Sequence, residues 1–123
     1  MKALTICCLA LLVLFATSAN GFCSPDQKVK ELEQKMAYLE GAFVQIMGEL
    51  QATVQDAKPV YAVAEKILKT KSKGFTWEEK AKINLAAFYE QRIMYLQALI
   101  KLIILESTIT AKEIETLKKQ KEA

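Results

Sequence analysis

Few side chains in this sequence could do chemistry. There is no histidine among the 123 residues, Arg92 is the only arginine, and the thiols are Cys7, Cys8 and Cys23. Without an imidazole, the usual nucleophile–base pairs and the His or Cys clusters that hold zinc cannot be assembled. Carboxylates alone can transfer protons, but only as a perturbed pair in a cleft. Glu90 is the one acid in the most apolar stretch, on the same helix as Arg92 and Lys101 and on its polar strip. No glycine-rich phosphate loop is present. The expectation is a protein that is not an enzyme and needs neither metal nor cofactor.

Cys23 carries the remaining chemistry. Met1 to about Gly21 reads as a secretory signal peptide: Lys2 supplies the charged start, Leu4 to Phe15 the apolar run, and Ala19 or Gly21 a cleavage site beside small residues. The run is about a dozen residues, short of the roughly twenty a membrane span needs. Cleavage removes Cys7 and Cys8 and leaves Cys23 as an odd thiol in an oxidising, extracellular setting. Two readings stand side by side: a symmetric Cys23–Cys23 disulfide, or a bond to another partner, a small-thiol cap or a free terminal cysteine. Loss of Lys2 leaves 16 basic against 14 acidic residues, a net charge of +2. A nearly neutral domain is not expected to bind nucleic acid, whose partners carry clustered positive charge. Residues 22–123 are expected to form one helical domain.

The elements that would position these groups are helices. Ser24-Pro25-Asp26-Gln27 combines an N-cap, a first-turn proline and a capping-box glutamine. From there Val29, Met36, Phe43 and Leu50 take heptad position a, and Leu32, Leu39 and Ile46 take d, a seam of coiled-coil grade. That seam (Val29, Leu32, Met36, Leu39, Phe43, Ile46) is a candidate self-association surface. Lys28 and Lys35 at g would face Glu33 and Glu40 at e of a parallel partner. The alternative is packing within one chain, with these charges in solvent. Gly41 and Gly48 fall at f, either for close approach of another backbone or as tolerated weak points.

Lys58-Pro59 predicts a break, since the residue before proline is biased out of the α region. A shorter helix over about 59–72 follows, with Gly74 as terminator. Lys66, Lys69, Lys71 and Lys73 crowd its end; they suit the helix dipole, or form a patch for an anionic surface. Thr76 to Glu79 is a second capping box, and Trp77 is expected to lid one end of the core.

The richest apolar stretch is Ala86 to Leu105. With Ala86 at a, Ile93 and Ile100 continue that position, while Tyr89, Leu96 and Ile103 take d. Leu85, Phe88, Tyr95, Leu99 and Leu102 form a second apolar flank. Such a helix must pack on more than one side. Tyr89, Ile93, Leu96, Leu99, Ile100 and Ile103 are therefore core, or a face for an apolar ligand. Glu90, Arg92 and Lys101 argue against a constitutive membrane span. The hydroxyl-rich run Glu106 to Thr110 predicts a kink or break before a short helix at about 110–120, with one uninterrupted helix as the alternative.

The fold expectation is all-α: a small bundle of two long helices, about 25–57 and 76–106, and two short ones, without a β-sheet. The functional expectation is a secreted helical interaction protein that pairs with itself or with another extracellular protein. Carriage of a lipid or other apolar ligand, and action on membranes as a venom or defence effector, are the alternatives.

Overall fold

The computed structural model describes residues 24–70 and 74–122. They form two α-helices, α1 (Pro25–Thr70) and α2 (Trp77–Glu122), each 46 residues long, and no strand. The all-α class is as expected. The two short helices are not separate elements: the first is the end of α1 and the second the end of α2.

Both helix starts follow their local chemistry. At Ser24 the side-chain oxygen accepts from the Gln27 amide (3.3 Å), and its carbonyl accepts the first helical bond, from Lys28 (2.9 Å). At α2 the capping box is reciprocal: the Glu79 amide donates to Thr76 Oγ1 (3.2 Å), and the Thr76 amide donates to Glu79 Oε1 (3.0 Å). Gly74 precedes it with φ +69°, a left-handed conformation that side chains resist.

Pro59 sits inside α1 without ending it. It lacks an amide to bond the Gln55 carbonyl, yet Gln55 and Pro59 are both exposed, so water can satisfy that carbonyl. The heptad also passes through the proline in phase. Thr53 and Val60 hold d, Ala57 and Ala64 hold a, and Thr53, Ala57 and Ala64 are buried. Continuous burial outweighs one lost bond. In α2 the seam likewise runs on from Ile103 through Ser107, Thr110, Ile114 and Leu117. The hydroxyls that predicted a break are absorbed by the helix: Thr108 Oγ1 donates to the Ile104 carbonyl and Thr110 Oγ1 to that of Glu106, both at 2.8 Å. Thr110 is fully buried.

The chain divides into two compact units. In the first, the described parts of Met1–Ile46 and Leu99–Ala123 pair antiparallel: Lys28 meets Glu113 (3.4 Å) and Lys35 meets Glu106, so position rises along α1 as it falls along α2. Its core is Leu32, Leu39, Ala42, Ile46, Leu99, Ile103 and Thr110. The second unit, Met47–Ala98, buries Thr53, Ala57, Ala64 and Leu96. Three of these four are small, so this unit has the thinner core.

Gly41 and Gly48 have nothing within 4 Å of an added Cβ, so among the described residues no other backbone approaches them. With Pro59 they are weak points on exposed helix surface. Pro59→Ala is expected to stabilise the fold by about 1–3 kcal/mol, and Gly41→Ala or Gly48→Ala by up to about 1 kcal/mol each. Urea titration followed by circular dichroism checks this; loss of stability in Pro59→Ala would show that the proline shapes a packed bend.

Candidate interaction surface

The a/d seam of α1 is largely consumed inside the chain. Leu32, Leu39 and Ile46 at d are buried, Leu39 to 2% and Ile46 to 1% exposure. Val29, Met36 and Phe43 at a are only half-buried. The inward face is turned toward g, because Lys35 and Ala42 are buried as well. The spacing centres the seam on a and d; from Val29 to Ile46 d and g point inward and a lies on the flank, whereas further along Ala57 and Ala64 at a are buried.

The g lysines have partners in their own chain. Lys28 pairs with Glu113 and Lys35 with Glu106, g to g across an antiparallel pair, while Glu33 takes Lys118 (3.3 Å) and Asp26 takes Lys121. Within the chain, the alternative of solvated charges gives way to this arrangement for Lys28, Lys35 and Glu33. Three of the four pairs are open to solvent and worth little, about 0–1 kcal/mol each. Lys35–Glu106 differs: the side chains are 8% and 25% exposed.

On α2, Leu96, Leu99 and Ile103 are buried, and Tyr89, Ile93 and Ile100 are half-buried. Leu99, which the spacing places on the second flank, is buried along with Leu96 and Ile103. Core packing accounts for them. A shallow depression lies on the other helix, lined by Gly48, Leu50, Gln51, Ala52, Val54 and Gln55. All six belong to α1 and the depression is open, so it does not enclose an apolar ligand.

Of the lysine patch, Lys66 and Lys69 are exposed and Lys69 pairs with Glu65 at 2.7 Å. Lys71, Lys73 and Cys23 lie outside the described residues. Trp77 is no lid. It is 88% exposed, with Lys80 Nζ 5.9 Å from its ring centroid, a contact that needs no core. Among the described residues no cluster of three or more His, Cys, Asp or Glu side chains could hold a metal ion. Glu49 Oε2 is buried without a hydrogen-bond partner, while the Glu49 carbonyl accepts from Thr53 Oγ1 (2.7 Å).

What α2 leaves uncovered is its second apolar flank. Phe88, Tyr95, Leu102 and Ile109 recur every seven residues and are 44 to 61% exposed, with Leu85 and Leu99 beside them. Ile109 is new to this stripe; the i+7 spacing from Leu102 was the available signal. At about 100° per residue the stripe lies roughly 110° round the helix from the core seam. Met94, Ile104 and Leu105 are exposed too. An 18-residue window of α2 reaches a mean hydropathy of 1.5 and is only 17% buried. By length and composition alone α2 could cross a membrane, although no 18-residue window of its apolar stretch avoids all of Glu90, Arg92 and Lys101.

No known family, curated protein or solved structure matches this chain.

The Lys35–Glu106 pair makes a separable prediction. Lys35→Ala strands a part-buried carboxylate and should cost about 3 kcal/mol, whereas Lys35→Met with Glu106→Leu should be neutral or stabilising. Chemical denaturation of the two variants decides it; a double variant as weak as the single one would show that the charges themselves hold the helices.

Proposed function

We propose that this protein is a secreted, non-enzymatic helical interaction protein that associates with itself. The observation that carries the reading is the heptad-spaced apolar stripe on α2, left half-open by a chain whose core is already packed. Contiguous exposed apolar surface of this kind is the mark of an interface. Its regular spacing suits a helical partner better than an irregular one. Secretion rests on the leader-like residues 1–21, and the covalent link on Cys23 as the thiol that cleavage would leave. The α1 seam is the weaker candidate for self-association, because its d positions are occupied within the chain.

One observation favours a second reading, action at a membrane: the apolar window of α2 is long enough to enter a bilayer and mostly unburied. In that reading Lys66 and Lys69 would meet anionic headgroups. Carriage of an apolar ligand has no comparable support.

Sedimentation of the purified protein at micromolar concentration is expected to give a reversible dimer. Non-reducing electrophoresis should show a band at twice the monomer mass that collapses on reduction and is absent from Cys23→Ser. A monomer under every condition, with flotation on anionic vesicles, would replace the first reading by the second.

A further inference from the structure

We propose that the end of the second compact unit, where α1 stops and α2 starts, docks onto an anionic lipid surface, with Trp77 at headgroup level and Lys66, Lys69, Lys80 and Lys82 toward the phosphates. This goes beyond the self-association proposed above and does not depend on it. It shares Lys66 and Lys69 with the membrane reading but leaves the apolar window of α2 out of the bilayer.

Positive charge is concentrated at this end. Residues 22–123 carry +2 in all, yet residues 58–82 hold seven lysines against three glutamates, so the rest of that span is net acidic. No acid stands between Glu65 and Glu78. Lys66 and Lys69 lie near the negative end of α1, where the helix dipole favours them. Lys80 and Lys82 have no such explanation, since they follow the positive start of α2 and gain nothing from its dipole. All four are exposed. The acids nearby oppose them only weakly. Glu78 and Glu79 lie in the first turn of α2, where the dipole holds them, and Glu79 is tied to the Thr76 amide at 3.0 Å. Glu65 meets Lys69 in open solvent (2.7 Å), a contact worth little and easily exchanged for a phosphate.

Apolar groups at the same end point to a membrane as the partner. Trp77 is 88% exposed and Leu68 55%, and the core uses neither. Tryptophan concentrates at membrane–water interfaces, where its ring meets the acyl boundary and its N–H the headgroups. Lys80 Nζ, 5.9 Å from the Trp77 ring centroid, stands beside it within reach of a phosphate. The joined end of two helices is small against the roughly 800 Å² per partner of a standard protein interface. A flat charged surface asks for less: one aromatic to enter it, and several cations that each strengthen binding about fivefold. Arg92, the only arginine, lies outside residues 58–82, so this end lacks the planar fork that suits nucleic-acid recognition.

Trp77 is the only tryptophan, so its fluorescence reports this end alone. With the purified protein, vesicles of mixed phosphatidylserine and phosphatidylcholine should move its emission to shorter wavelength, and added salt should reverse the change. Vesicles of phosphatidylcholine alone should leave it where it is. In vesicle flotation, Lys80→Gln with Lys82→Gln should weaken binding about twenty-fivefold, and Trp77→Ala about tenfold. Helicity should be unchanged in both, because all three side chains are exposed. Flotation with unaltered Trp77 emission overturns the assigned end and moves the contact to the α2 flank. The same emission change with a soluble polyanion, polyglutamate or an oligodeoxynucleotide, overturns the lipid surface as partner. Absence of binding to any vesicle overturns the proposal and leaves self-association, read separately by sedimentation, standing.

Discussion

A helix can bury one face against one neighbour, and that limit governs what this chain does with its apolar residues. Within each compact unit, α1 and α2 have only one another among the described residues. α1 comes nearer the limit, leaving only Val44, Val63 and Leu68 exposed among its large apolar side chains. α2 exceeds it. Its inward face, from Tyr89 to Ile103 and on to Leu117, takes the available cover, and the flank from Leu85 to Ile109 is left over. The exposed stripe is therefore a consequence of having two helices where the sequence of α2 has faces for more. A third and fourth helix inside the chain would have supplied further cover. They are instead extensions of α1 and α2, and extension adds length to a seam without adding a side.

Their fate also shows what the sequence makes legible. The helix starts could be read residue by residue, because Ser24-Pro25 and Thr76–Glu79 act within one turn and need nothing distant. The breaks were misjudged by the same local logic. Pro59 and the Thr108–Thr110 run do disfavour helix, by about 3 kcal/mol for an interior proline and far less for each threonine. Against that stood a periodicity that never changes phase: Thr53, Ala57, Val60, Ala64 and Ile67 in α1, and Ser107, Thr110, Ile114 and Leu117 in α2. Several of these are small or polar, so they do not register as a hydrophobic seam, yet Ala57 and Thr110 are among the most buried residues of the protein. Phase was the stronger signal, and composition concealed it. Trp77 departs differently: its place at the entrance of α2 suggests a lid, but the ring is 88% exposed.

The surface was half legible. The apolar flank of α2 stands out in the sequence, as does its inward face, because both keep heptad spacing in large side chains. The orientation of α1 does not, since which of a, d and g turns inward depends on the partner. The decisive clue was the order of charges. Lys28 and Lys35 ascend by seven while Glu113 and Glu106 descend by seven, and opposite charges in reversed order are the pattern of an antiparallel pair.

That order does more for specificity than for stability. An ion pair buried as Lys35–Glu106 is gains little net free energy over an apolar pair of similar size, because desolvation offsets most of the attraction. Its effect falls on the competing registers. Sliding α2 by one heptad one way keeps a pair at Lys28–Glu106 but sets Lys35 opposite Leu99. Sliding it the other way keeps Lys35–Glu113 and sets Glu106 opposite Ala42. Each slip leaves a buried charge without a counter-charge, at a cost of several kcal/mol, whereas the leucines, isoleucines and alanines around it would tolerate either. An apolar seam of repeating spacing cannot count heptads by itself. The single buried charge pair counts them, and by holding α2 in one register it also fixes which of its faces is turned away from α1.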